Sequence, residues 1–236
     1  MSSNLKMEHE TTIISMATQK GGSGKTMLTH ILALALTGKN EGKKVMVIDA
    51  DPQGSLLLYN KYAKKSRKDN DHKPPYALEA CTLEDLRNTI KKSYGLYDYI
   101  FIDVPGTLHQ EGVRAAFLLC DFIFLPVLPD VSDFDAALNT IEVIKEIKAE
   151  KQKNDSDLKY FCFLNQAEPN RVSTKMLLEA WESTNVPNVP RPMLRYEKYK
   201  TLKMDTVNIL DNANWGHEEF SLNAFFEAFT NILSNH

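Results

Sequence analysis

The chain is predicted to be an α/β protein, a doubly wound, mostly parallel sheet, on three observations. Several short segments (VMVID, YIFID, FIFLPV) are near-continuous apolar runs, the pattern of parallel strands covered on both faces. Longer stretches with apolar residues at helical spacing alternate with them. The first strand runs into a glycine-rich turn that opens a helix, an arrangement suited to binding anions.

Strands are expected at Thr12–Ala17, Lys44–Ala50, Tyr99–Val104, Phe122–Val127 and Tyr160–Leu164, each a short apolar run. Helices are expected near Gly24–Thr37, Leu83–Lys92, Ser132–Ala149 and Val172–Thr184. Ser132 is the expected N-cap of the third, with Asp135 three residues on. Phe134, Leu138, Ile141 and Ile144 supply its apolar stripe. Ser66–Pro75 (SRKDNDHKPP) reads as an exposed loop ended by a proline pair. Near the end, Leu222, Phe225, Phe226, Phe229, Ile232 and Leu233 keep helical spacing. A membrane-surface helix usually carries Lys or Arg on its polar face, and this one has none, so it is expected to pack back on the sheet.

The 236 residues are expected to form one domain, 1–236, with 1–11 a flexible N-terminus. About a dozen residues precede the first strand, too few for an appended helix-turn-helix domain. A composition 43% hydrophobic and 25% charged excludes a disordered or collagen-like chain. Neither a cleavable leader nor an apolar run of the ~18 residues that span a bilayer is visible. Cys81, Cys120 and Cys162 form no C-x-x-C pair, which suggests no zinc or iron–sulfur site and a reduced, cytoplasmic setting. The net charge is −3, but residues 204–236 alone carry five acids and no Lys or Arg, leaving +2 on the first 203 residues. A polyanion is therefore expected to bind before Lys203.

The chemistry concentrates at Thr18-Gln19-Lys20-Gly21-Gly22-Ser23-Gly24-Lys25-Thr26, between the first strand and the first helix. Glycines let successive backbone N–H groups curl round a phosphate chain, and the helix N-terminus adds its dipole. Lys25 is placed to reach the β- and γ-phosphates of a nucleotide, and the Thr26 hydroxyl to bind Mg²⁺. The ordinary P-loop, G-x-x-x-x-G-K-[ST], needs a glycine at position 19, where this chain has Gln19.

With Q-K-G-G-S-G-K-T at 19–26, the chain resembles the ParA/MinD family of P-loop ATPases with a deviant Walker A motif, and most closely its small single-domain partition members. Val47-Ile48-Asp49-Ala50-Asp51-Pro52-Gln53-Gly54 resembles the family's D-x-D-P-Q-G block, and Asp98–Gly106 its Walker B strand and the following loop, which would sense the γ-phosphate. The likeness covers about residues 12–170 and thins beyond. It implies that Lys20 crosses a dimer interface to phosphates held by the partner, that Asp51 orients the attacking water, and that Asp49 and Asp103 support Mg²⁺. Gly21, Gly22, Ser23, Gly24, Lys25, Thr26 and Met27 would line the phosphates, Met27 replacing the usual hydroxyl residue. Asn165 matches a position that commonly contacts adenine. Pro105-Gly106 stands where the family often has two prolines.

The resemblance implies ATP and Mg²⁺ as ligands, slow and partner-stimulated hydrolysis, and an ATP-dependent homodimer that binds nonspecific DNA for partition with a ParB-like partner. The acidic tail argues against a membrane. Candidate DNA contacts are Lys61, Lys64, Lys65 and Lys68 on one helical face, and Arg191, Arg195, Lys198 and Lys203 on a later segment. The alternative is a positioning ATPase whose cargo is protein. Other deviant P-loop relatives fit less well: no cluster cysteines sit among glycines, and no tyrosine follows Tyr199.

Overall fold

The computed structural model describes residues 10–18, 22–38, 42–67, 75–106, 111–168, 170–195 and 222–235. Six strands, β1 (Thr12–Met16), β2 (Val45–Asp49), β3 (Ala77–Ala80), β4 (Tyr99–Asp103), β5 (Phe122–Val127) and β6 (Lys159–Leu164), form one sheet in the order β3-β2-β4-β1-β5-β6. Every pairing is parallel. The described helices are α1 (Lys25–Thr37), α2 (Ser55–Arg67), α3 (Leu86–Ser93), α4 (Glu111–Leu118), α5 (Val131–Gln152), α6 (Val172–Glu182) and α7 (Leu222–Ser234). β1 lies between β4 and β5, where the strand order reverses, and at such a point the carboxyl ends of an α/β sheet open into a crevice.

Alternation along each strand feeds two cores. Ile13, Ile48, Ile100, Ile102, Ile123 and Leu125 face α3–α6, whose Ile90, Phe117, Ile141, Ile144 and Trp181 are buried with them. Ile14, Met16, Val47, Phe101, Phe122, Phe124 and Phe163 face α1, α2 and α7. α7 packs its aromatic stripe on this second face, Phe229 lying 4.7 Å from Phe124 and Phe225 4.9 Å from Phe163 between ring centroids. Each such buried ring contributes roughly 2–3 kcal/mol of apolar burial. The expected docking of the last helix on the sheet is thus what the structure has.

Two local expectations are corrected. Asp130, not Ser132, caps α5: its carboxylate accepts from the Ser132 N–H at 2.9 Å, and a carboxylate at a helix N-terminus has the dipole in its favour. Asp133 is buried, its carboxylate accepting from the Leu128 N–H at 3.3 Å across the β5–α5 turn. That pinning turns the helix so that Ala137, Ile141, Ile144 and Ile147 form the inner stripe, while Leu138 stays exposed. Most of the expected Ser66–Pro75 loop, residues 68–74, lies outside the described residues.

From Cys162 onward, the outer edge of β6 is covered by residues 187–195. Cys162 N–H donates to the Pro187 carbonyl, Val189 N–H to that of Cys162, and Met193 N–H to that of Leu164, at 2.8–2.9 Å. Further on, Ala167 N–H donates to Met193 and Arg195 N–H to Ala167.

Candidate nucleotide site

The site forms where β1, β2 and β4 end. After β1 the chain passes through the glycine turn, of which Gly22 to Thr26 are described; Gln19, Lys20 and Gly21 lie outside the described residues. Gly24 is the N-cap of α1 at φ 91°, a left-handed backbone that favours glycine. The helix start carries no side-chain cap and no acid in its first turn. Its first amides, including those of Lys25, Thr26 and Met27, therefore suit an outside anion.

Strand register brings the carboxylates together. Asp49 and Asp103 are paired residues of β2 and β4, both buried. The Thr26 hydroxyl donates to Asp103 Oδ2 at 2.7 Å, tying the start of α1 to the end of β4. Asp49 Oδ2 accepts from the Leu56 N–H at the start of α2, at 3.1 Å, while Asp49 Oδ1 has no hydrogen-bond partner. Asp51, half-buried, accepts from the Gln53 N–H at 2.9 Å and turns the chain into α2 through Gly54 at φ 58°.

Lys25 projects among these acids. A Cβ on Gly106 would lie 3.1 Å from Lys25 Nζ, so the loop after β4 passes right beside the ammonium. Burial lowers the Lys25 pKa, and the Asp103 and Asp51 carboxylates oppose that shift. Burial pushes the Asp103 carboxyl up to about 7; the Thr26 hydroxyl and Lys25 pull it down, and Asp49 and Asp51 add to the rise. Burial also raises Asp49, against the amides of Leu57, Leu56 and Asp51. An acid cluster that resists its own charge is one arranged for a cation.

This donor set fits Mg²⁺ bound to a triphosphate: one hydroxyl and two carboxylates supply hard oxygen ligands beside an uncapped helix start and a lysine. Ser23 Oγ, buried in the turn, and Asp49 Oδ1 are buried polar atoms without a partner, and such atoms are costly unless something binds them. An adjoining cavity of about 840 Å³ beyond the ends of β2 and β3 is walled by Asp49, Asp51, Glu79, Glu84 and Asp85, with Lys92. Its sign is wrong for phosphates, which the uncapped start of α1 suits better.

The structure thus brings together Ser23, Gly24, Lys25, Thr26, Met27, Asp49, Asp51 and Asp103. Asn165, at the end of β6, is buried against the same turn, its amide donating to the Ser23 carbonyl at 2.7 Å. Two neighbours complete the corner, Gly106 in the loop that the resemblance already marks after the Walker B strand, and Gln166, which has no signal in the sequence. Gly106 flanks Lys25, and Gln166 has a left-handed backbone, φ 56°, at a non-glycine position.

The basic candidates are not brought together in this way. Lys61 and Arg191 are exposed, and Arg195 pairs with Glu168 at 3.2 Å, a carboxylate that also takes Arg171. Lys64 and Lys65 lie in α2; Lys68, Lys198 and Lys203 lie outside the described residues. No described helix is long and apolar enough to cross a membrane.

Residues 14–199 match the family described as the CobQ/CobB/MinD/ParA nucleotide-binding domain. The chain is 29% identical over 196 residues to maintenance of carboxysome distribution protein A of Halothiobacillus neapolitanus, covering 83% of this chain and 85% of that one. Its fold is similar to that of Cyanothece apo McdA, with a TM-score of 0.70 and 17% identity, over 95% of this chain and all of the other. It is likewise similar to a putative plasmid partition protein from Borrelia burgdorferi bound to AMPPNP, with a TM-score of 0.67 and 19% identity over 96% and 100% of the two chains.

Proposed function

Because this chain belongs to the CobQ/CobB/MinD/ParA nucleotide-binding family, we propose that it is a Mg²⁺-dependent ATPase whose ATP-bound form self-associates to position a cargo. The single observation that carries the ATPase part is the convergence of Lys25, Thr26, Asp49, Asp51 and Asp103 at the ends of three adjacent strands.

In this reading α1's first amides and Lys25 bind the β- and γ-phosphates, while Thr26, Asp103 and Asp49 hold Mg²⁺. The ion, when bound, neutralises charge on the phosphate oxygens. Asp51, on the turn between β2 and α2, orients the attacking water by accepting its hydrogen bond. Gly106, beside Lys25, lets the loop after β4 follow the γ-phosphate. Lys20 reaches the nucleotide of a second copy, which makes the dimer depend on ATP. Hydrolysis is slow and is raised by a partner.

The relative from Halothiobacillus neapolitanus, named for carboxysome distribution and matched over most of both chains, supports a protein cargo or protein assembly as the object positioned. Self-association is the test. With Asp51 replaced to slow turnover, Mg²⁺-ATP should convert monomer to dimer in sedimentation velocity, and ADP should not. Adding Lys20→Ala should leave ATP binding within a few-fold but abolish the dimer. A dimer unaffected by that change would end the proposal for Lys20.

A second reading, partition of DNA by nonspecific binding with a ParB-like partner, draws on Lys61 and Arg191, which stand exposed, and on Lys64 and Lys65 in the same helix as Lys61. Under it, plain duplex DNA should shift in a gel with ATP but not ADP, and the shift should weaken steeply as salt rises. Absence of any shift at low salt leaves the protein-cargo reading.

A further inference from the structure

We propose that Asn165 and Gln166 clamp the phosphate loop, so that Asn165 governs polyphosphate binding through the loop's backbone rather than by reading the base. The proposal rests on the nucleotide-binding reading and assigns this corner a different task within it.

Four observations converge. Asn165 is 5% exposed, and its Nδ2 donates to the Ser23 carbonyl at 2.7 Å across 142 residues of sequence. Its Oδ1 accepts from the Gln166 N–H at 3.0 Å. Gln166 itself has φ 56°, a conformation that costs a non-glycine residue of order 1 kcal/mol and persists only where surroundings enforce it. The fit against the turn is close as well: a Cβ on Gly24 would lie 3.0 Å from Asn165 Nδ2 and 4.0 Å from Gln166 Nε2.

The corner is fastened on both sides. Asn165 N–H donates to the Val127 carbonyl at the end of β5, and Ala167 N–H to that of Met193 in the segment along β6. A peptide group is planar and trans, so holding the Ser23 carbonyl toward Asn165 holds the Gly24 N–H pointing the opposite way. That amide is then fixed as an anion donor before any ligand arrives, and fixed donors spare the ordering cost of binding.

The test uses inorganic tripolyphosphate with Mg²⁺, a ligand that has phosphates and no base, and the full chain. Calorimetric titration of Asn165→Ala and of the near-isosteric Asn165→Leu should show tripolyphosphate and ATP weakened alike, by about tenfold, the size of one lost buried hydrogen bond. The preference for ATP over GTP should stay at the wild-type value. A role confined to stability would lower the melting temperature yet leave tripolyphosphate affinity, read well below that temperature, unmoved. Unchanged tripolyphosphate binding, with or without a collapse of the ATP preference, overturns the clamp. Wild-type protein that binds neither ligand overturns the nucleotide reading itself.

Discussion

Replacing Asp103 by Asn should move two measurements in opposite directions. The melting temperature of the ligand-free protein should rise by about 5 °C, and affinity for Mg²⁺-ATP should fall at least ~100-fold. The gain comes from removing a charge the folded state disfavours. Asp103 is buried beside Asp49, and its carboxyl is pushed up to about 7. Asn keeps the acceptor for the Thr26 hydroxyl, so that bond survives. Each pKa unit is worth about 1.4 kcal/mol, which makes on the order of 4 kcal/mol an upper bound to the penalty at neutral pH. Even 2 kcal/mol would shift a domain of this size by roughly 4–8 °C.

The sign can be checked with pH. Between the unfolded value near 4 and the folded value of about 7, the folded protein holds the extra proton. Ligand-free wild type should therefore gain stability from this group as pH falls from 8 toward 5, and carry the full penalty above 7. Asp103→Asn should lack that slope in urea titrations at several pH values. A variant with an unchanged slope and melting temperature would show that Asp103 is not strained by its surroundings. The loss of Mg²⁺-ATP affinity follows from the same position, since an amide is a poor ligand for a hard cation.

Asp51→Ala should reduce turnover by about 100-fold or more while Mg²⁺-ATP binding stays within a few-fold. Asp51 sits on the turn after β2, with one oxygen taken by the Gln53 N–H, and the loss of a group that positions the nucleophile is expected to cost about that much. Binding should persist because Lys25, Thr26 and Asp103 do not depend on Asp51 for their mutual geometry. The readouts are phosphate release under single-turnover conditions and calorimetric titration with ATP. Turnover within tenfold of wild type would move the water-orienting role to another residue. Equal loss of binding and turnover would mean that Asp51 serves to hold the ligand.

Much of this was legible in the chain, for reasons that differ by element. The five expected strands stand where their apolar runs lie, to within a residue at either end, because a strand buried on both faces leaves little choice of residue. β3 left no such trace. Ala77–Ala80 (ALEA) is a four-residue edge strand whose residues favour helix, and only its pairing with β2 makes it a strand. α4 was missed because eight residues give barely two turns of periodicity. α2 was anticipated only as a face of lysines; what starts it is the Gly54 turn and the Asp49 carboxylate on the Leu56 N–H.

At the site, the residues of the glycine turn and the carboxylates at strand ends were visible because anion and cation binding demand those residue types at those places. Gly106 was visible only as part of the loop that the resemblance marks, and Gln166 not at all. Their importance lies in a clearance of 3.1 Å and a left-handed φ, which depend on how distant segments meet and have no local pattern. Asp130 took the cap expected of Ser132 for a similar reason: whether Asp133 turns inward is decided by the β5–α5 turn.

The backbone bonds that residues 187–195 make to Cys162 and Leu164 occupy the outer flank of β6 over its second half. An open fibre grown by adding sheet to sheet consumes two complementary margins per subunit, one to give and one to receive. With Cys162 and Leu164 already bonded, a copy's strand arriving at that margin would find only Lys159–Phe161 to pair with, too short a ladder to cement a fibre.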